Sequence, residues 1–107
     1  IISIDDFAKV KLRTGEITAC EKIKKSKKLL KIQVDDARGG RQIVSGIAEY
    51  YTPEELVGKQ VLVLVNLEPR ELKGILSRGM ILMAQDASGK LRLLQPDDQT
   101  NPGATVG

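Results

Sequence analysis

The sequence predicts an all-β fold: a five-stranded barrel with one short helix after its third strand and a C-terminal extension. Three observations predict it. Apolar residues recur at every second position over several stretches, the period of a half-buried strand. The one complete helix-start signature, Thr52-Pro53-Glu54-Glu55, falls after the third of these stretches. The 107 residues make a single domain whose core must be modest.

The elements follow in order. Ser3 and Asp6 have the spacing of a helix N-cap, with Ile4, Phe7 and Ala8 as a short apolar face, so one helical turn opens the chain. From Val10 the period changes to two. Val10, Leu12, Ile17, Ala19 and Ile23 mark a long first strand with a bend or bulge at Gly15. Leu30, Ile32 and Val34 alternate with Lys31, Gln33 and Asp35, a second strand with one buried face. Asp36 to Gly40 reads as a turn and Arg41 to Ala48 as the third strand. Thr52 caps the helix, Pro53 suits its first position, Glu55 completes a capping box and Gly58 stops it. Gln60 to Asn66 contains the unbroken run Val61 to Val65, a strand buried on both faces. Met80 to Ala84 is a further apolar run. Ala87-Ser88-Gly89 is a turn, and Leu91, Leu93 and Leu94 form the last strand. The barrel core is expected from about residue 8 to residue 95 of the single domain 1–107. The turn-rich tail 96–107 extends it. A small barrel with this helix placement is the oligonucleotide/oligosaccharide-binding (OB) type; another small barrel or a sandwich is the alternative.

Composition excludes whole classes of chemistry. The chain has no histidine, which removes His-based triads, His metal sites and imidazole switches. Its one cysteine, Cys20, permits neither an internal disulfide nor a multi-cysteine metal cluster. Cys20 stands among apolar strand positions and reads as a packed thiol, which fits the cytoplasm. Ser45 has no base in any recognisable motif. No catalytic residue, metal or cofactor is therefore expected. No apolar run reaches membrane-spanning length. The chain opens on Ile1-Ile2 instead of methionine, which suggests a module of a longer polypeptide.

Positive charge is concentrated. Lysines and arginines number 17 against 14 acids, a net +3, yet Lys22 to Lys31 holds six lysines and no acid. Such a run is a candidate phosphate-contacting ridge; the alternative is a solvated strand edge. Lys28 and Lys31, flanking the apolar alternation, are its best-placed members. With only Phe7, Tyr50 and Tyr51 as aromatics, base stacking cannot be extensive. Asn66 to Met80 carries a second candidate. Asn66 emerges at the rim of a buried strand, Pro69 and Gly74 hold a loop bearing Arg70 and Lys73, and Ser77, Arg78 and Met80 lead into the next strand. Polar donors beside a thioether make a cradle for a sugar-phosphate or an end nucleotide, or else an ordinary turn with a core methionine. Arg13 and Arg41 lie within strands. Each faces a phosphate or pairs across strands with Glu16, Asp35 or Asp36.

Four stretches together resemble the tRNA-binding domain family: Lys11 to Gly15 (KLRTG), Lys28 to Asp35 (KLLKIQVD), Arg41 to Ala48 (RQIVSGIA) and Val65 to Met80 (VNLEPRELKGILSRGM). The resemblance runs from Ile4 to Pro102-Gly103, and the fourth stretch is its most specific part. The family includes the C-terminal appendix of bacterial methionyl-tRNA synthetases, stand-alone structure-specific tRNA-binding proteins and chaperone-like relatives that bind protein. The resemblance implies an OB barrel with extra C-terminal strands, homodimerisation through the C-terminal extension, and tRNA held by shape. It also implies a synthetase catalytic domain as partner, in cis or in trans, as for a C-terminal domain or β-chain. The chain departs from the family pattern at Lys11, where an acid is usual, and at Thr14, where a β-branched apolar residue is usual.

Overall fold

The computed structural model describes all 107 residues. In chain order the elements are α1 (Ile4–Phe7), β1 (Leu12–Lys22), β2 (Leu30–Asp35), β3 (Arg41–Ser45), α2 (Pro53–Leu56) and β4 (Gln60–Leu64). There follow β5 (Arg70–Leu72), β6 (Ile75–Ser77), β7 (Met80–Ile81), β8 (Met83–Gln85), β9 (Leu91–Leu93) and β10 (Thr105–Val106). The main sheet runs β3-β2-β1-β4-β7 with antiparallel neighbours. It closes where β3 meets the strip between β6 and β7: the Arg78 amide donates to the Gln42 carbonyl at 2.8 Å, and the Val44 amide to Ser77 Oγ at 3.0 Å. No helix is long and apolar enough to cross a membrane.

The alternation seen in the sequence builds the core. Ile17, Leu30, Ile32, Val34, Ile43, Val61 and Val63 point inward from β1 to β4, and Ile47, Leu56 and Ile81 complete the cluster. Leu56 is the one buried residue of α2 and plugs one end of the barrel. Its helix starts as the sequence dictates. Thr52 Oγ1 accepts from the Glu55 amide, and the Glu55 carboxylate accepts from the Thr52 amide. Ser3 likewise caps α1.

Several boundaries differ from the sequence reading. The irregularity of β1 lies between Ile17 and Ala19, not at Gly15. Gly15 stays in register and is small for another reason: a Cβ there would overlap Val34 Cγ1. β3 stops at Ser45 because Ile47 turns into the core and its carbonyl takes the Tyr50 and Tyr51 amides. The run Met80–Ala84 is cut in two. β7 pairs with β4, whereas β8 pairs with β9 as a separate ribbon. Tyr51 pins that ribbon, its hydroxyl accepting from the Leu93 amide.

The loop expected at Pro69 to Gly74 is instead the start of a β5–β6 hairpin. Lys73 and Gly74, at φ 52° and 77°, make its two-residue turn. The tail is not a free extension either. β10 pairs with Leu12 and Arg13 on the edge of β1 that β2 leaves uncovered. Buried Thr14 donates from Oγ1 to the Asn101 carbonyl at 2.9 Å and accepts from the Ala104 amide at 3.0 Å. The buried Gln60 side chain exchanges hydrogen bonds with the Thr100 backbone. The departure at Thr14 thus has a structural use: a valine there would leave two tail groups without partners.

Candidate nucleic-acid interface

Because Ile32 and Val34 face the core, Lys31, Gln33 and Asp35 face out, and Gln42 stands beside Gln33 on β3. Over this face runs an open groove of about 670 Å³, lined among others by Thr18, Gln33, Gln42, Leu76 and Arg78. Its floor is a ladder of amides. Gln33 Nε2 donates to Gln42 Oε1 at 3.0 Å, and Gln42 Nε2 to the Leu76 carbonyl at 2.9 Å. The hairpin β5–β6 forms one wall, because Ser77 anchors it to Val44 of β3. Gly39 and Gly40 of the β2–β3 turn form another.

Arg41 stands at the rim. Its inward register, opposite Val34, would drive a guanidinium into the core were it not at the end of the strand. There Nε donates to Asp36 Oδ2 at 2.8 Å, and Nη1 donates to the carbonyls of Val65 and Arg78, each at 3.0 Å. The Asp36 side chain is 1% exposed and that of Arg41 19%. Asp36 Oδ1 also accepts from the amides of Arg38 and Gly40. Burial pushes the Asp36 carboxyl up, but the hydrogen bonds from Arg41, Arg38 and Gly40, with the charge of Arg41, outweigh it and hold it below the usual carboxylate range. Of the two roles open to Arg41, the ion pair with Asp36 is the one the fold builds.

The other sequence candidates fall into three groups. Arg70, Lys73, Arg78 and Met80 are exposed on and beside the hairpin. Met80 is 45% exposed, which excludes a core role. Ser77 is buried, accepting from Val44 and donating to the Gly79 carbonyl, so it shapes this wall from behind. Lys28 and Lys31 lie toward the other end of β2, Lys28 exposed on the β1–β2 loop and Lys31 on the strand, half-buried in an ion pair with Glu21. Arg13 and Asn66 belong to a different edge. Arg13 Nη1 reaches the Gly103 carbonyl and Thr105 Oγ1 of the tail. Asn66 spends both ends of its amide on the N-terminal segment, accepting from the Lys11 amide at 2.9 Å and donating to the Lys9 carbonyl at 2.6 Å.

The groove residues that sequence reasoning missed are Gln33 and Gln42, whereas Asp36 was among the partners it offered for Arg41. Neutral amides carry no charge signal, yet both glutamines lie one or two alternations from residues the reading singled out. Cys20 packs against the core, and burial, with the charges of Glu54 and Glu21, pushes its thiol up to about 11. It is thereby kept protonated and unreactive near neutrality.

A closed β-barrel with a polar, arginine-edged groove on the outer face of its first three strands is an OB-type binding module. The chain belongs to the putative tRNA binding domain family, which matches residues 12–105. It is 54% identical over 105 residues to a methionine–tRNA ligase of Porphyromonas gingivalis, covering 98% of this chain and 15% of the ligase. The chain thus spans less than a fifth of the length of that relative. Among solved structures it is similar to a MetRS related protein from Pyrococcus horikoshii, with TM-score 0.94, 38% identity and coverage of 100% of this chain and 98% of that one. It is also similar to the chaperone CsaA from Bacillus anthracis, with TM-score 0.90, 27% identity and coverage of 100% and 99%.

Proposed function

We propose that this chain is the non-catalytic tRNA-binding and dimerisation module of a cytoplasmic methionyl-tRNA synthetase whose catalytic body lies elsewhere. The observation that carries the reading is the groove over β1–β3. It has neutral hydrogen-bonding amides on its floor and Arg78 at its edge; Arg70 and Lys73 stand exposed on the hairpin that walls it, and Lys28 stands exposed toward the other end of β2. Cations without an aromatic platform grip phosphates and read shape, with little preference among tRNAs. Tethered to a catalytic body, such a groove raises the effective tRNA concentration there. Four or five phosphate contacts give log affinity a slope of about −3 to −4 against log salt. Titrating two unrelated tRNAs at three salt concentrations tests this. A strong preference for one of them rules out recognition by shape alone.

Homodimerisation is the second part of the proposal. Supporting it is an apolar recess of about 210 Å³ where Phe7, Val10 and Leu12 meet Val106 of the tail. Phe7 and Val10 are 39% and 40% exposed there. Light scattering should give twice the chain mass, and Val10→Asp should halve it. A monomer mass for the unaltered chain at high concentration refutes the dimer. Deleting the tail is the poorer test, because the tail also satisfies Thr14 and Gln60 of its own barrel.

The likeness to the CsaA chaperone favours one other reading, a groove that binds protein. Binding would then be nearly insensitive to salt, and tRNA affinity in the same titration weak and flat.

A further inference from the structure

Arg41 lines the groove, but its charge is already matched. Asp36, almost wholly buried, pairs with it at 2.8 Å. The two together are neutral, so a phosphate meeting Arg41 would gain little net attraction and release no extra counterion. Its Nε and Nη1 donors are committed to three partners on three separate parts of the chain: the β2–β3 turn, the end of β4 and the strip before β7. One of those partners is the carbonyl of Arg78. The amide of that same residue is held by the Gln42 carbonyl at 2.8 Å. The backbone of Arg78 is therefore clamped on both sides by adjacent residues of β3, while its side chain stands exposed at the groove. The neighbours of Arg78 are fixed as well. Ser77 is bonded to Val44, and Gly79, at φ 115°, lies so close to β4 that a Cβ would come within 2.7 Å of the Leu64 carbonyl.

We propose that Arg41 is a positioning residue: braced by buried Asp36, it fixes the backbone of Arg78 so that the Arg78 side chain meets tRNA phosphate already ordered. The proposal rests on reading the groove as a tRNA site. Arg41 serves through its fork, three donors in a fixed plane, and not through its charge. A lysine keeps the charge but cannot span Asp36 and two carbonyls at once. Ordering the Arg78 backbone in advance removes part of the entropy that binding would otherwise lose.

A double-mutant cycle with salt titration tests it. Arg78→Ala should weaken tRNA binding on the order of tenfold and flatten the salt slope by about one unit. Arg41→Lys should do nearly the same, although it removes no charge. In the double variant Arg41→Lys/Arg78→Ala, the losses should not multiply, and affinity should stay close to that of Arg78→Ala alone. An independent phosphate contact by Arg41 predicts the opposite: Arg41→Lys keeps slope and affinity, and Arg41→Gln multiplies with Arg78→Ala. That result overturns the brace while leaving the tRNA reading intact. A flat salt profile for the unaltered protein overturns the tRNA reading itself, and the proposal with it. Circular dichroism checks folding of each variant. If Arg41→Lys does not fold, the pair Asp36→Asn/Arg41→Gln, neutral at both positions, takes its place in the cycle with the same expected non-additivity.

Discussion

The two ends of β2 carry positive charge in opposite ways. At one end Arg41 is held by Asp36 and two backbone carbonyls, mostly out of solvent, with its charge matched. At the other end Lys24, Lys25, Lys27 and Lys28 stand exposed on the β1–β2 loop, and none of them is in an ion pair. That loop is still ordered. Ile23 is buried beneath it, and Ser26 Oγ accepts from the amides of Lys28 and Leu29. The loop presents charge, whereas the rim uses charge to join strands. Counting cations in the sequence treats both ends alike; the difference is whether a carboxylate is folded in beside them.

The largest expected effect separates the two ends by stability. Asp36→Ala leaves the Arg41 guanidinium without its partner and frees the amides of Arg38 and Gly40. It should cost about 2–4 kcal/mol in urea unfolding. Lys24→Ala, at the presenting end, should stay within about 0.5 kcal/mol. Equal losses would erase the distinction.

Acid sharpens it next. The folded Asp36 carboxyl titrates below its ordinary value, so its contribution is fully present above about pH 4 and is lost as pH falls through the lower, folded value. Asp36→Asn should therefore be less stable than the unaltered protein near neutrality, and the gap should narrow on acidification. Asp86, held at about 2 chiefly by the Ser88 hydroxyl and further by Arg92, should supply a residual acid dependence in both proteins. A gap that stays constant with pH would mean that Asp36 acts through shape alone. Thermal midpoints across a pH series decide this.

The smallest effect on the protein itself is expected in the loop, where it should appear only in binding. Lys28→Ala should leave the melting temperature unchanged and flatten the tRNA salt slope by about one unit, equally for unrelated tRNAs. Asn66→Ala is its counterpart. Affinity and slope should both hold, because both ends of that amide are bonded to the N-terminal segment, away from the groove. Since the amide ties down Lys9 and Lys11, stability should fall instead, by about 1–2 kcal/mol.

Much of this was legible in the chain. The inward residues of β2 were readable from their alternation, because the period of a strand is a local property. On β1 the irregularity after Ile17 reversed the faces, so that Ala19, expected inward, is exposed and Cys20 packs against the core. The capping box of α2 was equally plain, since its partners are three residues apart. The lysine run announces itself by composition. The hairpin β5–β6 was not legible. Its strands have three residues each, too few to show a period, and Lys73-Gly74 is a weaker turn signal than Asn-Gly.

By itself, then, the sequence determined the barrel, its helix, its exposed lysines and its family resemblance, all of which rest on contacts between near neighbours or on residue counts. The tertiary structure decided which polar groups are already taken. Arg41 finds its carbonyls 24 and 37 residues away, Asn66 its partners 55 and 57 away, and Thr14 its acceptor 87 away. A buried polar group must be satisfied by whatever the closed barrel brings alongside it. Only after the distant strands had met was it settled that Arg41 and Asn66 hold the fold together and that Arg78 is left free to face the groove.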